Sequence, residues 1–155
     1  MKKLLIIGLA LITSFMAYGA LAAQDTATIA VKNDPKLGMI LTDPDGKVLY
    51  LYLKDEKDES YCYDKCAENW PPFTAEEPLT LPEGVEGELK LIDRDDGTKM
   101  VSYNGIPLYY FIGDEAPGDT NGQGVGDVWY VVAPGQMFGT PMASPVASPM
   151  ATPAS

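Results

Sequence analysis

Three groups of side chains in this 155-residue chain have the types and spacing to do chemistry. Cys62 and Cys66 stand close together within Tyr61-Cys-Tyr-Asp-Lys-Cys66. Two such thiols either oxidise to a disulfide in an exported chain or act as a redox pair or as a soft Cu(I) site with methionine. Asp119, Asn121 and Gln123 place oxygen ligands at alternate positions, Gly124 follows, and Asp127 falls where a Ca²⁺ loop often sets its next ligand. Asp55 and Asp114 form a potential carboxylate pair, and carboxylates alone can run glycoside hydrolysis.

Composition narrows each possibility. The chain has no histidine, so it lacks the commonest base near neutral pH and the commonest metal ligand. Ser-His-Asp and Cys-His catalysis are excluded, as are His-containing zinc sites and the usual copper and haem ligation. Copper is further disfavoured because Met137, Met142 and Met150 are irregularly spaced. A disulfide is the expected fate of Cys62 and Cys66, worth ~2 kcal/mol for so short a loop. The Ca²⁺ pattern is partial: Tyr130 stands where an EF-hand puts its bidentate Glu, and a strand rather than a helix should follow. The alternative is a Gly-rich loop whose Asp and Asn make turns. No cofactor is predicted, and Ca²⁺ is the ion that the spacing admits.

The elements that would position these groups come in duplicate. Gly38, Gly46, Leu49, Tyr50, Asp55, Glu56 and Trp70 recur 59 positions later as Gly97, Gly105, Leu108, Tyr109, Asp114, Glu115 and Trp129. Tyr52 corresponds to Phe111. The repeats cover about 38–70 and 97–129, and the shared core is Tyr-x-aromatic-x-x-Asp followed by Trp. Its direct reading is structural. The aromatic residues bury large areas, the Asp caps a strand end by bonding backbone N–H groups, and the Trp folds back over the rings. Asp55 and Asp114 are better explained as strand ends than as a catalytic pair, so no catalytic residue is expected.

Alternating and β-rich runs place strands at Thr28–Lys32, Met39–Thr42, Lys47–Leu53, Glu88–Ile92, Lys99–Tyr103, Pro107–Ile112 and Val128–Val132. Asp43-Pro-Asp-Gly46 and Asn104-Gly105 read as turns. The runs ending at Leu53 and Ile112 are apolar on both faces, so both should be central and covered on both sides. A short helical turn fits around Cys62–Glu68. Residues 71–87, rich in Pro, Glu and Gly, read as a loop joining the halves. The expectation is an all-β domain over residues 25–134, a single antiparallel unit of two pseudo-symmetric repeats. A low-complexity Pro, Ala, Ser and Met tail over 139–155 should follow.

The pattern resembles the secreted-repeat family, described as predicted bacterial lipoproteins with a conserved Tyr-x-(Phe/Trp/Tyr)-x-x-Asp motif. The residues that carry the resemblance run from Asp45-Gly46 through Tyr50, Tyr52, Asp55, Ser60, Cys62, Cys66-Ala67 and Trp70-Pro-Pro72. They resume at Asp96-Gly97 and continue through Tyr103-Asn-Gly105, Tyr109, Asp114, Gly122-Gln-Gly124 and Trp129. The resemblance implies a secreted or cell-envelope protein and brings no established activity with it. The chain departs from lipid-modified members in having no Cys near the export junction.

Residues 1–22 read as an export signal: Lys2-Lys3, an apolar run from Leu4, then Ala20-Leu21-Ala22. The alternative is a retained anchor, the one route by which the membrane would be engaged. The formal charge is −11, and cleavage would remove Lys2 and Lys3 and no acidic residue. Such a surface repels nucleic acid and anionic membranes and attracts cations. The best reading is a non-catalytic binding or scaffolding module that meets an envelope or cell-wall component outside the cytoplasm. A metal-binding or redox accessory protein is the alternative, and a carboxylate-based hydrolase the third.

Overall fold

Tyr50 and Tyr109, equivalent by the repeat, pair across two antiparallel segments. The N–H of each donates to the carbonyl of the other, at 2.8 and 2.9 Å. The pseudo-two-fold axis of the domain runs between them.

A computed structural model describes residues 27–140; the expected export segment and the tail from residue 141 lie outside the described residues. β1 (Ala30–Asp34) and β2 (Gly38–Thr42) form a hairpin. β3 (Tyr50–Tyr52) pairs with β7 (Trp129–Val131). β4 (Leu89–Asp93), β5 (Lys99–Tyr103) and β6 (Ile106–Pro107) form a meander. All these pairings are antiparallel. The turn between β5 and β6 is closed by Asn104 and Gly105, both at positive φ (51° and 84°), as the tight primed hairpin turn requires. Among the described residues the helical content is one short helix, α1 (Lys65–Asn69), and a 3₁₀ turn at Val125–Asp127.

The symmetry extends outward from the axis. Val132 N–H donates to Leu49 O on one side, and Phe73 N–H donates to Leu108 O on the other. Successive residues of the central segments alternate between two buried clusters. Leu49, Leu51 and Leu108 enter one; Val48, Tyr50 and Tyr109 enter the other. This is the covering on both faces that the doubly apolar runs require.

The strands are shorter than those runs. β3 ends at Tyr52, and Leu53 is 55% exposed; its counterpart Ile112 is 65% exposed. In both copies the chain turns immediately after the motif's second aromatic residue: Asp55 N–H donates to Tyr52 O, and Asp114 N–H to Phe111 O. The expected strand Pro107–Ile112 is reduced to Pro107, the end of β6, and to isolated bridges from Tyr109 to Tyr50 and to Pro72; Pro107 has no N–H to extend a ladder. β1 starts two residues later than expected. Backbone contacts also continue beyond Pro134. Phe138 N–H donates to Asn104 O, and Asn104 Nδ2 donates to Gln136 O.

Candidate functional site

The motif's polar atoms are exchanged between the repeats. Tyr50 Oη donates to Asp114 Oδ2 at 2.6 Å, and Tyr109 Oη donates to Asp55 Oδ2 at 2.7 Å. Each Tyr lies beside the axis, so its hydroxyl reaches the Asp of the other repeat. The second oxygen of each Asp accepts a backbone N–H from the loop that follows: Tyr61 for Asp55, Asn121 for Asp114. The Asp thus ties its own loop to the opposite half.

The motif's rings form one stack. Trp70 and Trp129 lie face to face on the axis, centroids 3.9 Å apart and planes 2° apart. Phe111 stacks outside Trp70 at 4.2 Å, and Tyr52 outside Trp129 at 4.3 Å. Tyr50 and Tyr109 meet the two indoles edge-on at 5.4 and 5.2 Å. Each Trp is delivered by a short helical turn, α1 before Trp70 and Val125–Asp127 before Trp129. Gly122 is required here: a Cβ would come within 2.8 Å of the Trp70 and Tyr50 rings.

The two circuits differ in what stands behind the tyrosine. Tyr50 Oη accepts the Gly122 N–H. Tyr109 Oη is bonded to Ser60 Oγ, which also accepts from Arg94 Nη1. Because the Tyr109 proton goes to Asp55, Ser60 donates to Tyr109. A directed chain therefore runs Arg94, Ser60, Tyr109, Asp55. Arg94 is 4% exposed, donates to Cys62 O and to Asp96 Oδ2, and lies over the Tyr63 ring. Burial lifts the Asp55 carboxyl to about 6, against the downward pull of the Tyr61 N–H, the Tyr109 hydroxyl and the Arg94 charge. Burial also lifts Asp114, opposed by the Tyr50 hydroxyl and the Asn121 N–H. Both tyrosine hydroxyls are raised by burial and by their carboxylate neighbours. Thr98, followed by Arg94, holds Asp96 down to about 2.

Cys62 and Cys66 form a disulfide, so neither sulfur is free as a thiolate. It fastens the start of α1 to the buried Cys62 and sets the approach to Trp70, whose N–H bonds Cys66 O. Replacing both cysteines by serine is expected to cost ~2 kcal/mol, read as a lower urea midpoint at unchanged slope. Wild-type protein kept reduced should show the same loss. In the acidic loop, Asp119 Oδ2 accepts the Glu115 and Ala116 N–H groups, Asn121 Nδ2 donates to Gly113 O, and Gln123 Oε1 accepts the Val131 N–H. Asp127 takes a positive φ of 56° in the 3₁₀ turn. Among the described residues, no group of three or more Cys, Asp or Glu is arranged to hold a metal.

Two clefts flank the stack. The first, about 460 Å³, lies between the end of β3, β6, Tyr130 and the segment Gln136–Thr140. The second, about 370 Å³, lies between Lys47–Val48, Pro71 and Tyr110–Asp114. Every residue lining the second has its repeat counterpart lining the first: Lys47 matches Ile106, Tyr110 matches Leu51, and Pro71 matches Tyr130. Tyr52 and Phe111, the outer rings of the stack, each border one cleft. Asp55 borders the first and Asp114 the second, so neither of these two clefts carries both carboxyls. The Gln136–Thr140 wall belongs to the first cleft alone.

Sequence reasoning missed the exchange of Tyr–Asp bonds, the Arg94–Ser60 chain and the twin clefts. The equal spacing of Tyr and Asp in both copies was the available signal for the first; Arg94 and Ser60 have no identical repeat partner to betray them.

A family model described as a secreted repeat of unknown function matches residues 33–74 and 90–133, one segment in each half. No curated protein and no solved structure matches the chain. With more than half of its length covered by that model, and both matches falling on the two halves that meet at the Tyr50–Tyr109 axis, the chain belongs to this family of secreted repeats.

Proposed function

We propose that the protein is a non-catalytic binding module of the cell envelope whose recognition surface is the first cleft. The observation that carries this is the division of labour around Asp55. The motif's polar atoms are spent on bonds to the opposite half and to the loop that follows each Asp. The exposed apolar side chains Leu53, Met137 and Phe138 instead gather on the cleft. A concave site with apolar walls and few polar groups is the usual form of a small-molecule site. Two-carboxylate hydrolysis needs both acids on one bond, whereas Asp55 and Asp114 border different clefts. The ligand is an envelope component with an apolar body.

Nile red, a neutral apolar dye, tests this directly. Its fluorescence should rise saturably with the folded protein, and Phe138→Ala or Leu53→Asp should weaken the response at least ~5-fold, since each removes or charges part of an apolar wall. Both positions are exposed enough to change without loss of the fold. A response that does not saturate, or one indifferent to both substitutions, overturns the reading.

A further inference from the structure

The two clefts share a framework and differ in charge, and the difference says what the first would take. In the second, Lys47 supplies an ammonium group of the protein's own, 5.7 Å from the centroid of the Tyr110 ring, with Asp114 on the same lining. The counterpart of Lys47 in the first cleft is Ile106, which brings no charge. Asp55 is the one charged residue lining the first cleft. Behind it the Arg94 guanidinium is already matched by Asp96 at 3.1 Å, so these three groups carry one net negative charge. Lys57 lies across Gly105, beside the cleft rather than in its lining. Tyr52, Tyr130 and Phe138 supply three aromatic rings to the walls.

Resting on the binding reading above, we propose that the first cleft binds a small organic ammonium ion with an apolar body, held by Tyr52, Tyr130 and Phe138 and countered by Asp55. The external ammonium does there what Lys47 does in the second cleft. Aromatic faces attract such cations electrostatically, most strongly where water is excluded. A carboxylate in an apolar wall adds the Coulomb attraction that a neutral ligand of the same shape cannot use. The chain's overall charge of −11 favours the approach of cations over anions.

The test compares choline with 3,3-dimethylbutan-1-ol, its neutral isostere, by calorimetry and by the shifts of cleft resonances at low salt. The expected result is a preference for choline of roughly 10-fold. Leu53→Lys, which gives the first cleft an internal ammonium at an exposed position, should abolish the preference, whereas Leu53→Gln, which brings no charge to the same wall, should weaken both probes alike and leave their ratio in favour of choline. Asp55→Asn should reduce the preference in the same direction. Equal affinity for the two probes, or a preference that survives Leu53→Lys, overturns the ammonium assignment. Saturable Nile red binding beside either result leaves the broader binding reading standing, and its loss removes both.

Discussion

Replacing Trp129 by alanine is expected to cost about 3–5 kcal/mol, against a total stability of roughly 5–15 kcal/mol for a domain of this kind. Trp129 is 4% exposed and touches three rings: Trp70, Tyr52 and the edge of Tyr109. Trp70→Ala should cost a similar amount, because its environment is the same by pseudo-symmetry, with Phe111 and Tyr50 in the matching places. The double substitution is the informative one. Once one indole is gone, the other has already lost its stacking partner, so the double loss should fall short of the sum by about 0.5–1.5 kcal/mol. Urea unfolding with an unchanged slope measures all three changes. A loss below about 1 kcal/mol for either single variant would mean that the stack does not hold the halves together.

The parts of this architecture that were legible in the sequence are those set by local pattern. Asn104-Gly105 specifies its tight turn wherever it stands, and the run Glu88–Ile92, which alternates polar and apolar, lies almost wholly in β4. Cys62 and Cys66 are close enough in the chain to find each other. The all-β, duplicated architecture follows from the 59-residue repeat itself. Leu53 and Ile112 show where pattern misleads. Each extends an apolar run by one more residue, yet each is the first inner residue of the turn that the Asp two positions on closes, and each borders a cleft.

What was not legible depends on contacts across the axis. Tyr50 meets Asp114 over 64 residues and Tyr109 meets Asp55 over 54. A repeat shows that both copies carry Tyr and Asp; it does not show that they trade partners. A bond within each copy would stabilise each half alone. The exchanged bonds leave each half incomplete, since its Asp lacks a hydroxyl and its Trp lacks a stacking face. Duplication here therefore yields one cooperative domain rather than two beads.

The exchange also predicts an asymmetry that the repeat alone conceals. Asp55→Ala is expected to cost about 3–4 kcal/mol, whereas Asp114→Ala, half-buried at a loop edge, should cost about 1–2 kcal/mol. Removing the Asp55 carboxyl strands the Tyr61 N–H, one bond of the Tyr109 hydroxyl and part of the compensation for the buried Arg94 charge. Asp55→Asn should be milder, at about 1 kcal/mol or less. Its carbonyl oxygen can still accept from Tyr61, and Tyr109 can turn its proton to Ser60. Titration separates the two variants further. The Asp55 carboxyl rises to about 6 on folding, from an ordinary value of about 3.9 in the unfolded chain. The folded state then binds the extra proton between those values, so the stability this group contributes is full below about pH 4 and is lost as pH rises through 6. Asp96, held down to about 2, works the other way: its contribution is present above about pH 4 and is lost as pH falls through 2. Wild-type stability should therefore peak at about pH 4 and fall by about 2–3 kcal/mol toward pH 7.5. Asp55→Asn removes the titrating group, so most of that fall should disappear. A fall of unchanged size in the Asn variant would place the titrating group elsewhere. Equal costs for Asp55→Ala and Asp114→Ala would mean that Arg94 and Ser60 add nothing to the first circuit.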